Sequence, residues 1–128
     1  MQEKVDILLA TYNGERFLQQ QINSIFEQTH TNFFIYIRDD GSKDNTVSII
    51  KEYVQKYPDK IAIIEDNFGN LGVTQNFNEL MKYSTANYIA FSDQDDIWLP
   101  QKIEKSFNFL KEIEEKHNNL PAFVYSDM

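Results

Sequence analysis

Asp93-Gln94-Asp95-Asp96 places three carboxylates one residue after an apolar run, Tyr88–Phe91, and directly before Ile97-Trp98-Leu99-Pro100. Ionised carboxylates this close repel one another, so they stay charged only where a cation or hydrogen bonds compensate. Oxygen-only donors suit a hard divalent cation such as Mg²⁺ or Mn²⁺. Mg²⁺ keeps several waters and joins one or two carboxylates to substrate phosphates. The competing explanation is local: aspartates cap the helix that starts near Pro100 and shape a turn. Capping accounts for one of the acids, at most two. The metal reading is therefore preferred, with Asp93, Asp95 and Asp96 as candidate ligands.

Asp39-Asp40-Gly41-Ser42-Lys43-Asp44-Asn45-Thr46 is the second constellation. Gly41 permits a tight turn, and Ser42 or Asp44 can cap the helix that follows. Asp40 fits that account less well. A carboxylate at a strand end also accepts a hydrogen bond from the ring N–H of uracil or thymine, or from a ribose hydroxyl; the residues alone leave both readings open. In Ala10-Thr11-Tyr12-Asn13-Gly14, Tyr12 can stack on a base and the small residues let backbone approach a ligand. The alternative is a helix start capped by Asn13. Asn67-Phe68-Gly69-Asn70-Leu71-Gly72-Val73 reads best as a plain connection. His30 and His117 read as surface histidines, and Trp98 as a residue packed against the end of a sheet. Neither a GxGxxG fingerprint nor a Walker A lysine motif is present.

These segments need elements to position them. Val5–Ala10, Phe33–Ile37, Ile61–Ile64 and Tyr88–Phe91 read as buried strands, with Ala122–Tyr125 as a fifth. Helical periodicity runs from about Glu15 to Gln28, through Val47–Tyr57, Val73–Met81 and Ile103–Ile113, with Pro100 placed for a first turn. This alternation predicts an α/β fold: a mostly parallel sheet sandwiched by helices. In such sheets ligands bind beyond the carboxyl ends of the strands, where all the polar segments above fall.

The 128 residues fit a single domain, 1–128, able to bury roughly two thirds of its unfolded surface. A net charge of −8 disfavours nucleic acid as a partner. With no cysteine, disulfides and thiolate metal sites are excluded, and a reducing compartment fits. No apolar stretch is long enough for a transmembrane segment, and the N-terminus lacks the features of a signal peptide.

Taken together, Ala10–Gly14, Asp39-Asp40-Gly41-Ser42-x-Asp44-x-Thr46, Asn70-Leu71-Gly72 and Ser92–Trp98 resemble the family 2 glycosyltransferases, in that order along the chain. The segment Phe91–Trp98, with Asn13–Leu18, is similar to bacterial rhamnosyltransferase-like members that build surface polysaccharides. The resemblance implies a Rossmann-like GT-A nucleotide-binding fold. It also implies inverting transfer of a sugar from a nucleotide-diphosphate donor, UDP- or dTDP-linked, to a saccharide or lipid-linked acceptor. By position it places Ala10, Tyr12 and Asp40 against the nucleotide base, with Thr11 and Asn13 beside them. It matches Asp93-Gln94-Asp95 to a DxD motif that holds Mg²⁺ or Mn²⁺ on the diphosphate and touches the ribose, and Asp96 can share that task. The expected location is cytoplasmic, with peripheral contact at the inner face of the membrane. The family's catalytic base lies C-terminal to the DxD motif. The expectation is a domain truncated at its C-terminus, with the base outside this chain. Two other classes compete: a catalytically silent nucleotide-binding module, and a Mg²⁺-dependent phosphotransferase. Ile97 fits the phosphotransferase poorly.

Overall fold

The computed structural model describes residues 3–93 and 97–116. Its elements follow in the order β1 (Val5–Thr11), α1 (Leu18–Phe26), β2 (Phe33–Asp39), α2 (Thr46–Lys56), β3 (Ile61–Ile63), α3 (Val73–Met81), β4 (Tyr88–Ser92) and α4 (Lys102–Lys116). Among the described residues all strand pairings are parallel, in the order β3-β2-β1-β4. The α/β arrangement expected from the alternating patterns is the observed one.

The inner strand β1 is buried at all seven positions, as a strand covered on both faces must be. Its side chains alternate between two cores. Val5, Ile7 and Leu9 join Phe33, Ile35 and Ile37 of β2 against Leu18, Ile22 and Ile25 of α1 and Ile50 of α2, with Trp98 and Ile103 in the same cluster. Leu8 and Ala10 face the other way, toward Leu80 of α3, with Tyr36, Phe77 and Phe91 packed alongside. Asp6 interrupts the apolar pattern of β1 and is fully buried. Its Oδ2 accepts from the Ser84 hydroxyl at 2.7 Å and the Ala86 N–H at 3.3 Å, which ties β1 to the segment entering β4.

Three local expectations change. α1 starts at Leu18, about a turn later than Glu15, because the Gly14 carbonyl accepts from Phe17 and Leu18 and forms a turn first. Asn13 does not cap this helix: it adopts a left-handed backbone (φ 49°), and its side-chain oxygen accepts from Lys43 instead. His30 is not a surface residue. It is 4% exposed, with its Nε2 2.7 Å from the Glu3 carbonyl oxygen. Trp98 is buried in the larger core, as expected. The fifth strand expected over Ala122–Tyr125, and His117, lie outside the described residues.

Ile7 sits between Ile35 and Ala90 in the sheet register and is fully buried. Ile7→Ala is expected to lower unfolding free energy by about 2–5 kcal/mol in urea titrations, with an unchanged denaturant slope.

Candidate functional site

Parallel pairing brings the carboxyl ends of the four strands to one edge. Thr11 is level with Asp39, Leu9 with Ser92 and Ile37 with Ile63. The polar segments that follow the strands therefore line a common rim.

The first two segments are stitched together. The Asp40 N–H donates to the Thr11 carbonyl at 2.9 Å, and the Thr11 hydroxyl donates to Asp39 Oδ1 at 2.7 Å. The Asn13 N–H reaches Ser42 Oγ at 2.7 Å, and the Lys43 N–H returns to Asn13 Oδ1 at 2.9 Å. Asp44 accepts from both the N–H and the hydroxyl of Thr46, which satisfies a first-turn donor of α2. These bonds, the Thr46 hydroxyl first, hold the Asp44 carboxyl below its ordinary value.

The two neighbouring aspartates differ in what they have left to offer. A carboxylate presents about four acceptor positions. Asp39 uses four, accepting from the Thr11 hydroxyl, the Gly41 and Ser42 N–H groups and the Ser42 hydroxyl. Asp40 uses three: Arg38 Nη1 and the Leu71 N–H on Oδ1, and the Gly72 N–H on Oδ2. Among the described residues, one position on Asp40 Oδ2 remains without a donor. The loop read as a plain connection is thus folded onto Asp40, with Asn70 Nδ2 also donating to the Asp40 carbonyl. Gly72 makes its approach at φ 85°, a backbone state that disfavours side chains.

Beneath the loops lies Arg38, 2% exposed. Its five N–H donors all have acceptors: Asp66 through Nε (2.8 Å) and Nη2 (2.9 Å), Asp40 (3.0 Å) and Asn76 (3.1 Å) through Nη1, and the Gly69 carbonyl (3.0 Å). The Asp66 hydrogen bond, ahead of the Asp40 one, keeps Arg38 more firmly protonated than usual against the opposing effect of burial. In return Arg38 holds the Asp66 carboxyl below its ordinary value of 3.8. An open cleft of about 550 Å³ lies beside this network, walled by Asp39, Ser42, Val47, Ile64 and Asp66 among others.

The expected site residues fall into two groups. Ala10, Thr11 and Asp40 are buried, whereas Tyr12 (44% exposed) and Asn13 stand at the surface. Asp93 is exposed, directly after β4, which adjoins β1 in the sheet. Its carbonyl accepts from Gln21 Nε2. Asp95 and Asp96 lie outside the described residues, and among the described residues no three acidic or histidine side chains converge. Asp93 offers only oxygen donors to a cation, which fits Mg²⁺ or Mn²⁺ rather than a softer metal.

Comparison with known proteins places this rim in context. Residues 6–127 match the profile of Glycosyl transferase family 2. The chain belongs to that family. This family 2 chain is 42% identical over 107 residues to the dTDP-rhamnosyl transferase RfbG of Shigella flexneri, covering 80% of the chain and 36% of RfbG. The fold is similar to S. aureus TarS 1–349 in complex with UDP-GlcNAc, with TM-score 0.66, 28% identity, and coverage of 85% of this chain and 31% of that one. It is also similar to the mannosyltransferase PcManGT of Pyrobaculum calidifontis in complex with GDP-Man and Mn²⁺, with TM-score 0.69, 21% identity, and coverage of 77% and 29%. The family 2 chain therefore has the GT-A fold. It spans less than half the length of the curated relatives it matches. Among its described residues, no helix is long and apolar enough to cross a membrane.

Sequence reasoning missed Arg38, Asp66 and Asn76. Their signal was an arginine closing an apolar strand beside two acids, a combination that burial makes costly unless partners exist. Arg38→Met leaves Asp40 and Asp66 without their cation and is expected to destabilise the domain by about 3–5 kcal/mol in urea. The pH dependence has a defined sign. Asp66 has a depressed carboxyl pKa in the fold, so the stability it gives is complete above 3.8 and fades as pH falls through the folded value. Thermal unfolding between pH 7 and pH 2.5 should show that acid-side loss in the wild type and a weaker slope in Arg38→Met.

Proposed function

We propose that this chain is the donor-binding part of a glycosyltransferase that takes a sugar from a pyrimidine nucleoside diphosphate and passes it, with inversion, to a saccharide or lipid-linked acceptor in surface-polysaccharide synthesis. The observation that carries the reading is the remaining acceptor position on Asp40, on a rim shared with Tyr12 and Asn13 and in a chain of family 2. A carboxylate anchored from below by Arg38 and two backbone N–H groups is fixed in position. It can accept the ring N–H of uracil or thymine, or a ribose hydroxyl. Tyr12, half-exposed, offers a face for the base, and Ala10, Thr11 and Asn13 shape the wall beside it. RfbG is named for a dTDP-linked donor and TarS is seen with UDP-GlcNAc, which supports a pyrimidine donor here.

Asp93, Asp95 and Asp96 are assigned to a divalent cation, Mg²⁺ or Mn²⁺, with Asp93 and Asp95 also near the ribose and diphosphate. When bound, that cation neutralises the charge that develops on the leaving diphosphate. The acidic residues hold it and orient the donor, while the Thr11–Ser42 stitching keeps the base side in register. The base that deprotonates the acceptor is assigned to no residue of this chain. A cytoplasmic location, with contact at the inner membrane face through the acceptor, fits this chemistry.

Calorimetric titration with UDP, dTDP and GDP, with and without Mn²⁺, tests the assignment. UDP or dTDP is expected to bind more tightly than GDP. Mn²⁺ should strengthen that binding by about tenfold or more, and Asp95→Ala should abolish the gain. Equal affinity with and without Mn²⁺ overturns the metal assignment. A preference for GDP overturns the role given to Asp40.

A further inference from the structure

Helix α1 carries a second pattern beneath its apolar one. Leu18, Ile22 and Ile25 fill the core, but Gln21 and Ser24 are buried too, at 0% and 6% exposure, as is Gln28, two residues past the helix end, at 3%. Gln21 and Ser24, at i and i+3, share one face of the helix, and Gln28 follows in the turn that leaves it. Burying such groups costs free energy unless each finds a partner, and apolar residues would pack the same space without that cost.

The partners are concentrated on the segment that runs from β4 into α4. Gln21 Nε2 donates to Ser92 Oγ at 3.0 Å and to the Asp93 carbonyl. Ser24 Oγ accepts the Trp98 N–H at 3.0 Å while donating to the Gln21 carbonyl at 2.6 Å. Gln28 Nε2 donates to the Leu99 carbonyl at 2.7 Å, and its Oε1 accepts the Ile103 N–H at 3.0 Å. Thr29, next in line, gives its backbone N–H to the Pro100 carbonyl at 2.8 Å. Most of these bonds go to main chain, and they fall on both flanks of the acidic segment. Among the described residues, Gln21 Oε1, buried, has no hydrogen-bond partner. The side chain therefore keeps an unsatisfied acceptor for the sake of its two donor contacts, an arrangement that packing alone does not favour.

We infer that Gln21, Ser24 and Gln28 are positioning residues that fix the backbone on either side of the acidic segment, so that Asp93 presents its carboxylate to the divalent cation in one orientation. The inference rests on the metal reading proposed above. Groups that orient metal-bound carboxylates without touching the metal commonly change its affinity by tenfold or more when removed. Here the orienting groups act through main chain rather than through the carboxylates themselves. They also tie the cation side of the rim to α1, the helix that follows the Thr11–Gly14 loop on the base side.

The test is Mn²⁺ binding in the presence of UDP, followed by electron paramagnetic resonance of free Mn²⁺, beside UDP affinity in EDTA, for wild type, Gln21→Leu and Ser24→Ala. Gln21→Leu keeps the volume and removes the donor. It is expected to weaken Mn²⁺ binding about tenfold, with UDP affinity in EDTA within twofold of wild type. Ser24→Ala removes one hydroxyl and is expected to shift Mn²⁺ binding in the same direction by a smaller factor. Should Gln21→Leu fail to fold, Ser24→Ala decides. A loss that is proportionate with and without Mn²⁺ marks a general packing defect and overturns the inference. Unchanged Mn²⁺ affinity in the folded variants, against a wild type that binds Mn²⁺, overturns the clamp alone. A wild type that binds no Mn²⁺ overturns the metal reading and the clamp together.

Discussion

A buried guanidinium sets the terms for the rest of this site. Arg38 cannot lose its charge, and at 2% exposure it cannot share it with water. It is tolerated only because five acceptors surround it. Those acceptors come from the end of β2, the loop after β3 and the start of α3, so one cation makes a single unit of three segments that are independent in sequence. Replacing a buried ion network by apolar residues is often neutral for stability, so its retention is better read as specifying geometry than as adding stability. The geometry specified is the position of Asp40, whose carboxylate accepts from Arg38, Leu71 and Gly72 and, among the described residues, keeps one acceptor position without a donor.

The neighbouring aspartate illustrates how the same side chain takes a different role. Asp39 is filled by donors of its own turn and of Thr11, which leaves it a structural knot between β1 and β2. Asp40, one residue further, points into the Arg38 network and the Leu71–Gly72 backbone. The alternation of side chains along an extended strand end is enough to separate the two fates.

On the other flank the constraint is the polar stripe of α1. The helix packs by its apolar residues and, through Gln21, Ser24 and Gln28 just past its end, grips the backbone on either side of the acidic segment. The Asp40 loop and the segment around Asp93 are thereby built on the same small set of parts: one inner strand, its two neighbours and the helix between. Rigid elements hold the loops, and side chains placed on such elements are fixed more precisely than those on loops alone.

What the sequence by itself determined was local. Apolar runs such as Val5–Ala10 and the helical spacing of Val73–Met81 reveal their elements because strand and helix periods are written in adjacent residues. The turn chemistry of Asp39–Thr46 was legible for the same reason. Ends and caps were less so: α1 begins a turn late and Asn13 bonds across to Lys43, because a partner 30 positions away competes with the local cap. His30, polar by type, is buried because the N-terminal strand's approach supplies a carbonyl for it. Only the tertiary structure decided the strand order, the burial of Arg38 and the grip of Gln21 on Asp93. Arg38 meets Asn76 across 38 residues and Gln21 meets Asp93 across 72. Whether a buried charge or amide is satisfied depends on groups brought in by the folding of the sheet, and no spacing along the chain encodes which groups those are.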